Sequence, residues 1–386
     1  MEYRDFTGLC RSLATLLLML WAATPAMAER TLVDVAGRTV TVPDQVSRIL
    51  LGEGRFIPAL GILLANPVSP VVATLGDFER FDAPSYAQYR ERFPEIDAIP
   101  RVGAASADSF NLEQAITLQP QVALFALQGH GPSLDNTALI RRLEASGIPV
   151  VFIDFRKAPL ENTLPSIEVL GQLLNQQEQA QAFSAFYREA MAQVKDALPG
   201  DIDQHPRVFL HSRVGLTDQC CETMAHGMLG NFVDEAGGRN MAKPLLPGVS
   251  GVLNPELLLS EPPEVYVATA IGSQTVPEHY RGSVALGPGT TVGFARRSLA
   301  QAIDQQKLTS LAPVRAGRAH GIWHHFYNHP FNVVAVQVFA RWLYPEQTGD
   351  LDPEQTLATL FQRFQPVPLD GTYWVDLGQS NLSEGE

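Results

Sequence analysis

The side chains of this chain best suited to hold a ligand are arginines and histidines placed where apolar runs give way to loops. Arg55 follows Ser47–Leu51 and Gly52-x-Gly54, Arg80 follows Val71–Ala73, and Arg213 follows Arg207–His211. A guanidinium fork matches a planar oxyanion, so such residues could clamp a carboxylate, catecholate or hydroxamate oxygen. Taken singly, each serves equally well as a surface charge or a structural ion pair. His320, His324, His325 and His329, with Tyr327 among them, form the densest set of potential metal ligands. They lack the His-Glu-x-x-His spacing of a helical zinc site and cross from a strand end into a loop. Four such residues cannot face one point, so one or two contacts to ligand are expected and a metal site is not. Trp323 and Tyr327 offer faces for a flat ligand, while Phe326 belongs to the core. The candidate ligand-binding set is therefore Arg55, Arg80, Arg213, Trp323, His325 and Tyr327.

Other chemistries fit less well. The pair Gly52-x-Gly54 lacks the third glycine of a dinucleotide fingerprint, because position 57 is Ile. Its glycines serve better to let a strand-end loop approach a ligand closely. No Gly-x-Ser-x-Gly elbow and no motif of paired carboxylates occurs, so neither a catalytic residue nor a cofactor is nominated. Cys220 and Cys221 are adjacent and cannot staple distant segments. In an oxidising compartment they could form a vicinal disulfide, stay reduced, bind a soft ligand, or be two small buried residues.

The elements that must position these residues alternate between strand and helix. A hairpin over Thr31–Val42 precedes strands at Ser47–Leu51, Val71–Ala73 and Val150–Asp154 and helices at Pro58–Leu64 and Asn136–Ser146. The rhythm resumes with strands Arg207–His211, Val265–Ala270 and His320–Trp323 and helices Met228–Ala236 and Asn332–Leu343. Such alternation implies mostly parallel sheets covered on both faces, with ligand at the carboxyl ends of the strands. One segment is written twice: Asn111-Leu112-Glu113 through Pro120 returns as Asn254-Pro255-Glu256 through Pro263, each followed by an apolar run. Each copy reads as an Asn-capped short helix stopped by Pro and feeding a buried strand. Two similar α/β lobes follow, with a cleft between them. Residues 159–198 carry apolar positions at helical period and read as one long linking helix, which the stretch Asn175–Gln177 could break. The expected layout is an N-terminal lobe over 29–158, the linking helix, and a C-terminal lobe over 199–386. A helix from Asp352 and a surface-wrapping tail complete it.

The first residues read as an export signal. Arg4 and Arg11 precede the apolar run Leu13–Ala23, and Ala26-Met27-Ala28 offers a cleavage site, so residues 1–28 are expected to be removed. The run is too short to span a bilayer. Asp and Glu number 41 against 28 Lys and Arg, a formal charge of −13. That balance argues against nucleic acid or an anionic membrane surface as partner.

The segment Val33-Asp34-Val35-Ala36-Gly37-Arg38-Thr39-Val40-Thr41-Val42-Pro43 resembles the start of periplasmic substrate-binding proteins for iron–siderophore and cobalamin import. Asn111-Leu112-Glu113 through Pro120, Ser146–Val150, Glu235–Asn240 and Arg315–Arg318 carry the same resemblance along the chain. It implies a monomeric, non-enzymatic periplasmic protein with two lobes joined by a long helix. Such a protein delivers a ferric siderophore or related metal chelate to an ABC permease in the inner membrane. It also implies that Glu113 and Glu256 dock against that permease. Haem, cobalamin and oxyanions are alternative ligands, and for haem the resemblance implies Tyr327 or His325 as an axial ligand. An exported metal-dependent enzyme using the histidine cluster is the competing class.

Overall fold

The structure, a computed structural model, describes residues 28–378 except 201–204, 218 and 281. The expected leader lies outside the described residues but for Ala28. Among the described residues, no helix is long and apolar enough to cross a membrane.

Two sheets carry the molecule. The first is four-stranded and parallel, in the order Val71–Ala73, Ile49–Leu51, Val122–Ala126, Val150–Ile153. The second centres on Arg207–His211, Val265–Ala270 and Ala319–Trp323, which are parallel. Every residue of Val122–Ala126 and of Val265–Ala270 is buried, as strands covered on both faces require. The repeated segment builds matching units. Asn111 caps Leu112–Thr117 through the Gln114 amide, Asn254 caps Pro255–Ser260 through the Glu256 amide, and each helix leads into one of these central strands.

The structure adds elements that the apolar pattern does not announce. Glu222–Met224 and Ser250–Val252 extend the second sheet antiparallel on one side. Trp374–Asp376 pairs antiparallel with Ala319–Trp323 on the other, so the tail ends in an edge strand that buries Val375 and leaves Asp376 exposed, rather than in a surface wrap. Helices Ala83–Arg92 and Val292–Gln305 are likewise additions.

The linking segment is two helices, Pro159–Leu173 and Gln177–Ala197, rather than one. Between them Asn175 adopts a left-handed φ of 56°, a conformation Asn tolerates and a helix cannot continue through. The helices fold back on each other. Thr163 of the first and Tyr187 of the second both bond Asn332, at 2.8 and 2.7 Å. Gly171 permits the close approach, since a Cβ there would lie 2.6 Å from that of Ala180. The 21-residue second helix, about 31 Å long at 1.5 Å per residue, packs on both Ile57–Leu63 and Asn332–Leu343. The chain also returns to the first lobe beyond helix Pro353–Phe364, where Gln365 Nε2 donates to the Pro58 carbonyl at 3.1 Å.

Candidate ligand-binding cleft

Strand-end loops of the two sheets enclose a cavity of about 790 Å³. Arg55, Arg80, Arg213, His325 and Tyr327 from the candidate set all line it, together with His324, Phe81, His130, Arg156 and Met228. Five of the six candidates thus share one cavity, but its four arginines have different neighbours.

Arg55 is consumed by structure. Its Nη2 donates to Glu53 at 2.8 Å and its Nε to Asp77 at 3.1 Å, with all three side chains buried. Its Nη1 faces Asn328 Oδ1 at 2.8 Å, with that amide turned to donate to the His325 carbonyl. Burial disfavours the charged guanidinium, but Glu53 and its other acidic neighbours outweigh that and raise its pKa. Two carboxylates share the one cation unequally. Burial would push Glu53 up, but Arg55, Arg156 and the His130 amide hold it below the ordinary carboxylate value. Asp77, which is also buried, is pushed up to about 6 despite Arg55. The glycines here are required by crowding: a Cβ at Gly129 would run into the Glu53 carboxylate.

Arg213 sits at the start of the hairpin joining Arg207–His211 to Glu222–Met224. Its φ of 47° is left-handed, a strained region for a side chain of this size. Thr269 holds it there, its Oγ1 accepting the Arg213 amide at 2.7 Å and its carbonyl the Val214 amide at 3.2 Å. The Arg213 guanidinium is half-exposed and paired with Glu222.

Arg80 and Arg156 have no carboxylate partner within 4.0 Å among the described residues. Arg156 lies over the Tyr327 ring at 5.3 Å, and its Nη1 is buried without a hydrogen-bond partner. Arg80 lies over Phe81 at 5.7 Å, and its carbonyl meets His279 Nε2 from the other lobe at 3.0 Å. Three of the imidazoles, His130, His324 and His325, are disfavoured from carrying charge. Burial, then Arg156 and Arg55, lowers His130 to about 4. Burial, then His325 and Arg213, lowers His324 well below the ordinary value, and burial also lowers His325. Arg80 and Arg156 are therefore the cleft guanidiniums without a carboxylate in contact, their charge offset at longer range by the second carboxylate of the Arg55 cluster and by exposed Glu278 at the rim.

Trp323 is a correction. It is 3% exposed and packs edge-on against His325, Phe326 and Tyr373, one ring behind the cleft wall. As the last residue of its strand it points into the core, while His324 and His325 turn outward in the next turn. Phe326 is core, as expected. Among the described residues no group of three His, Cys, Asp or Glu side chains converges as a metal site. Arg156 was missed, although it lies three residues beyond Val150–Ile153, where the strand-end rule points.

Residues 71–283, more than half of the chain, match a periplasmic binding protein family. The chain belongs to that family, which the two sheets and the cleft between them already describe. It is 24% identical over 230 residues to a cobalamin-binding protein of Halobacterium salinarum, covering 59% of this chain and 58% of that protein. The match thus spans less than two thirds of that relative's length. The crystal structure of the TroA-like periplasmic binding protein FepB from Veillonella parvula superposes with a TM-score of 0.79 at 24% identity. That superposition covers 90% of this chain and 99% of FepB. The molybdate-bound periplasmic protein MolA of Haemophilus influenzae gives 0.65 at 16% identity, covering 89% and 99%. These likenesses show the fold.

Proposed function

We propose that this protein is the solute-binding component of an ABC importer. In this reading it captures an anionic ferric chelate of the siderophore type in the periplasm and passes it to an inner-membrane permease. The observation that carries the reading is the pair Arg80 and Arg156, neither with a carboxylate within 4.0 Å among the described residues and each over an aromatic ring, in a cavity of about 790 Å³. The half-buried Arg156 guanidinium, its Nη1 unpartnered, is poised for a ligand anion, the exposed Arg80 adds a second donor at the mouth, and the rings suit a chelate with flat aromatic arms. Capture involves no chemistry. Haem fits less well, because Tyr327 and His325 are 3% and 6% exposed and lie beneath Arg156 and beside the buried Arg55 network. An iron atom would have to reach past guanidiniums to meet them. Cobalamin, named for the Halobacterium relative, carries no anionic arm array that would employ both arginines.

Fluorescence titration tests the reading, because Trp323 lies 5.4 Å behind the cleft-lining His325. Ferric catecholates, ferric hydroxamates, ferric citrate, haem, cobalamin and molybdate would be compared. Saturable quenching at micromolar or lower concentration by a ferric chelate is expected; saturation by haem or cobalamin alone would overturn it.

A further inference from the structure

Cys220 and Cys221 are joined as a vicinal disulfide one residue before Glu222, the partner of the cleft arginine Arg213. The segment around them is tied on both sides. The Cys221 carbonyl accepts from the Leu253 amide at 3.0 Å, and the Glu222 carbonyl accepts from the Ser212 amide at 2.7 Å. Cys221 is buried while Cys220 is half-buried, so one sulfur is open to attack and the other is the leaving group. Glu222, Arg213 and Gly215 all line the cavity. Thr269 fixes the Arg213 backbone, so where the guanidinium points depends on Glu222.

We infer that Cys220–Cys221 is a thiol–disulfide exchange site whose redox state sets whether Arg213 is held by Glu222 or released to the cleft. A dithiol reductant attacks the Cys220 sulfur through its thiolate, breaking the Cys220–Cys221 bond and forming a mixed disulfide. The Cys221 thiolate leaves and takes a proton. The second thiol of the reductant then closes on the first, expelling Cys220 as a thiolate that is protonated in turn. Two electrons and two protons pass to the protein, and the reductant ends as a disulfide. Opening the ring frees the peptide between the cysteines and loosens the placement of Glu222. In the oxidised protein Arg213 is neutralised. In the reduced protein it joins Arg80 and Arg156 in the cavity. The consequence for affinity rests on the anionic-ligand reading, whereas the release of Arg213 does not.

The test uses the full exported chain and the arginine reagent phenylglyoxal, with modification read at Arg213, Arg80 and Arg156 by peptide mass mapping. Dithiothreitol under native conditions is expected to expose two alkylatable thiols. It should also raise the Arg213 rate roughly fivefold, the size expected when a half-exposed ion pair is released, with Arg80 unchanged. A Cys220→Ser/Cys221→Ser variant should show the raised rate with and without dithiothreitol. An unchanged Arg213 rate after thiols have appeared would overturn the inference, as would free thiols in protein purified without reductant, or a disulfide that resists native reduction. Wild-type protein supplies the comparison if the double variant does not fold. Because the reagent reports the hairpin independently of any cargo, failure here and failure of the chelate reading are separate results.

Discussion

Arg55 and Arg156 reach the same cavity from strand ends of one sheet, yet their surroundings assign them opposite work. Arg55 is ringed by Glu53, Asp77 and Asn328, and its removal would strand two buried carboxylates. Arg55→Ala is expected to cost about 3–5 kcal/mol of fold stability in denaturant melts, as breaking a buried pair generally does. Arg156→Ala takes away a guanidinium whose Nη1 has no partner, so it should cost much less stability than Arg55→Ala, the loss being its pull on Glu53 and its contact with the Tyr327 ring. It should weaken binding of the quenching chelate by roughly tenfold to a hundredfold, the size of a hydrogen bond to a charged group at ~1.5–3 kcal/mol. Calorimetric titration showing wild-type affinity for Arg156→Ala would remove Arg156 from the site. The sequence pattern marks arginines at strand ends but not which of them has a carboxylate waiting. Asp77, more than twenty residues beyond Arg55, becomes its partner only when two strands lie side by side.

The repeated αβ units were the most legible elements, because an Asn cap, a Pro stop and a continuous apolar strand are all local signals. Their glutamates differ in a way no local signal records. Glu113 is bridged to Arg142 at 2.6 Å on the surface, whereas Glu256 has no cation within 4.0 Å among the described residues. Beside Glu256, Val252 and Leu259 are 60% and 66% exposed, apolar surface of a kind that a partner would cover. We propose that both glutamates dock on the permease. The Glu113 bridge, worth about 0–1 kcal/mol, is weak enough to exchange. Reversing both charges should abolish uptake into cells, with Glu256→Lys alone the more damaging single change. Chelate affinity should not move; a loss of affinity would mean that these helices shape the cleft instead. Elements that stayed hidden lacked a period to read. Glu222–Met224 and Ser250–Val252 are three residues each. Val292–Gln305 buries Ala295, Ser298 and Ala302 alongside Leu299 and Ile303, so its inner face is too small and polar to stand out.

At the scale of the molecule, the expected rod is a helical hairpin, and that changes what the lobes can do. A single helix running between lobes would resist bending but leave each lobe free to twist about its end. Here Asn332 of the second lobe is bonded to both arms of the hairpin at once, and Gln337 Nε2 donates to the Ala190 carbonyl at 3.2 Å. The long arm also packs on Ile57–Leu63, and the chain after Phe364 returns to Pro58 and to Gln88, whose Nε2 donates to the Pro368 carbonyl at 2.6 Å. Side chains from both lobes are thus interlocked behind the cleft, and close-packed contacts of this kind do not deform continuously. At the front, the bond between His279 and the Arg80 carbonyl is the outermost of the contacts that opening must break, the others including Arg55 to Asn328 and Arg156 to the Tyr327 ring. Ligand entry is therefore expected to involve local release around Asp77–Phe81 and Pro277–His279, with lobe rotation of a few degrees rather than wide hinge closure. Small-angle scattering with and without the quenching chelate should give superimposable curves. His279→Ala should speed ligand release in stopped-flow traces without lowering the melting temperature. A clear compaction on ligand addition would show that the hairpin bends, and that the contacts behind the cleft do not hold the lobes at a fixed angle.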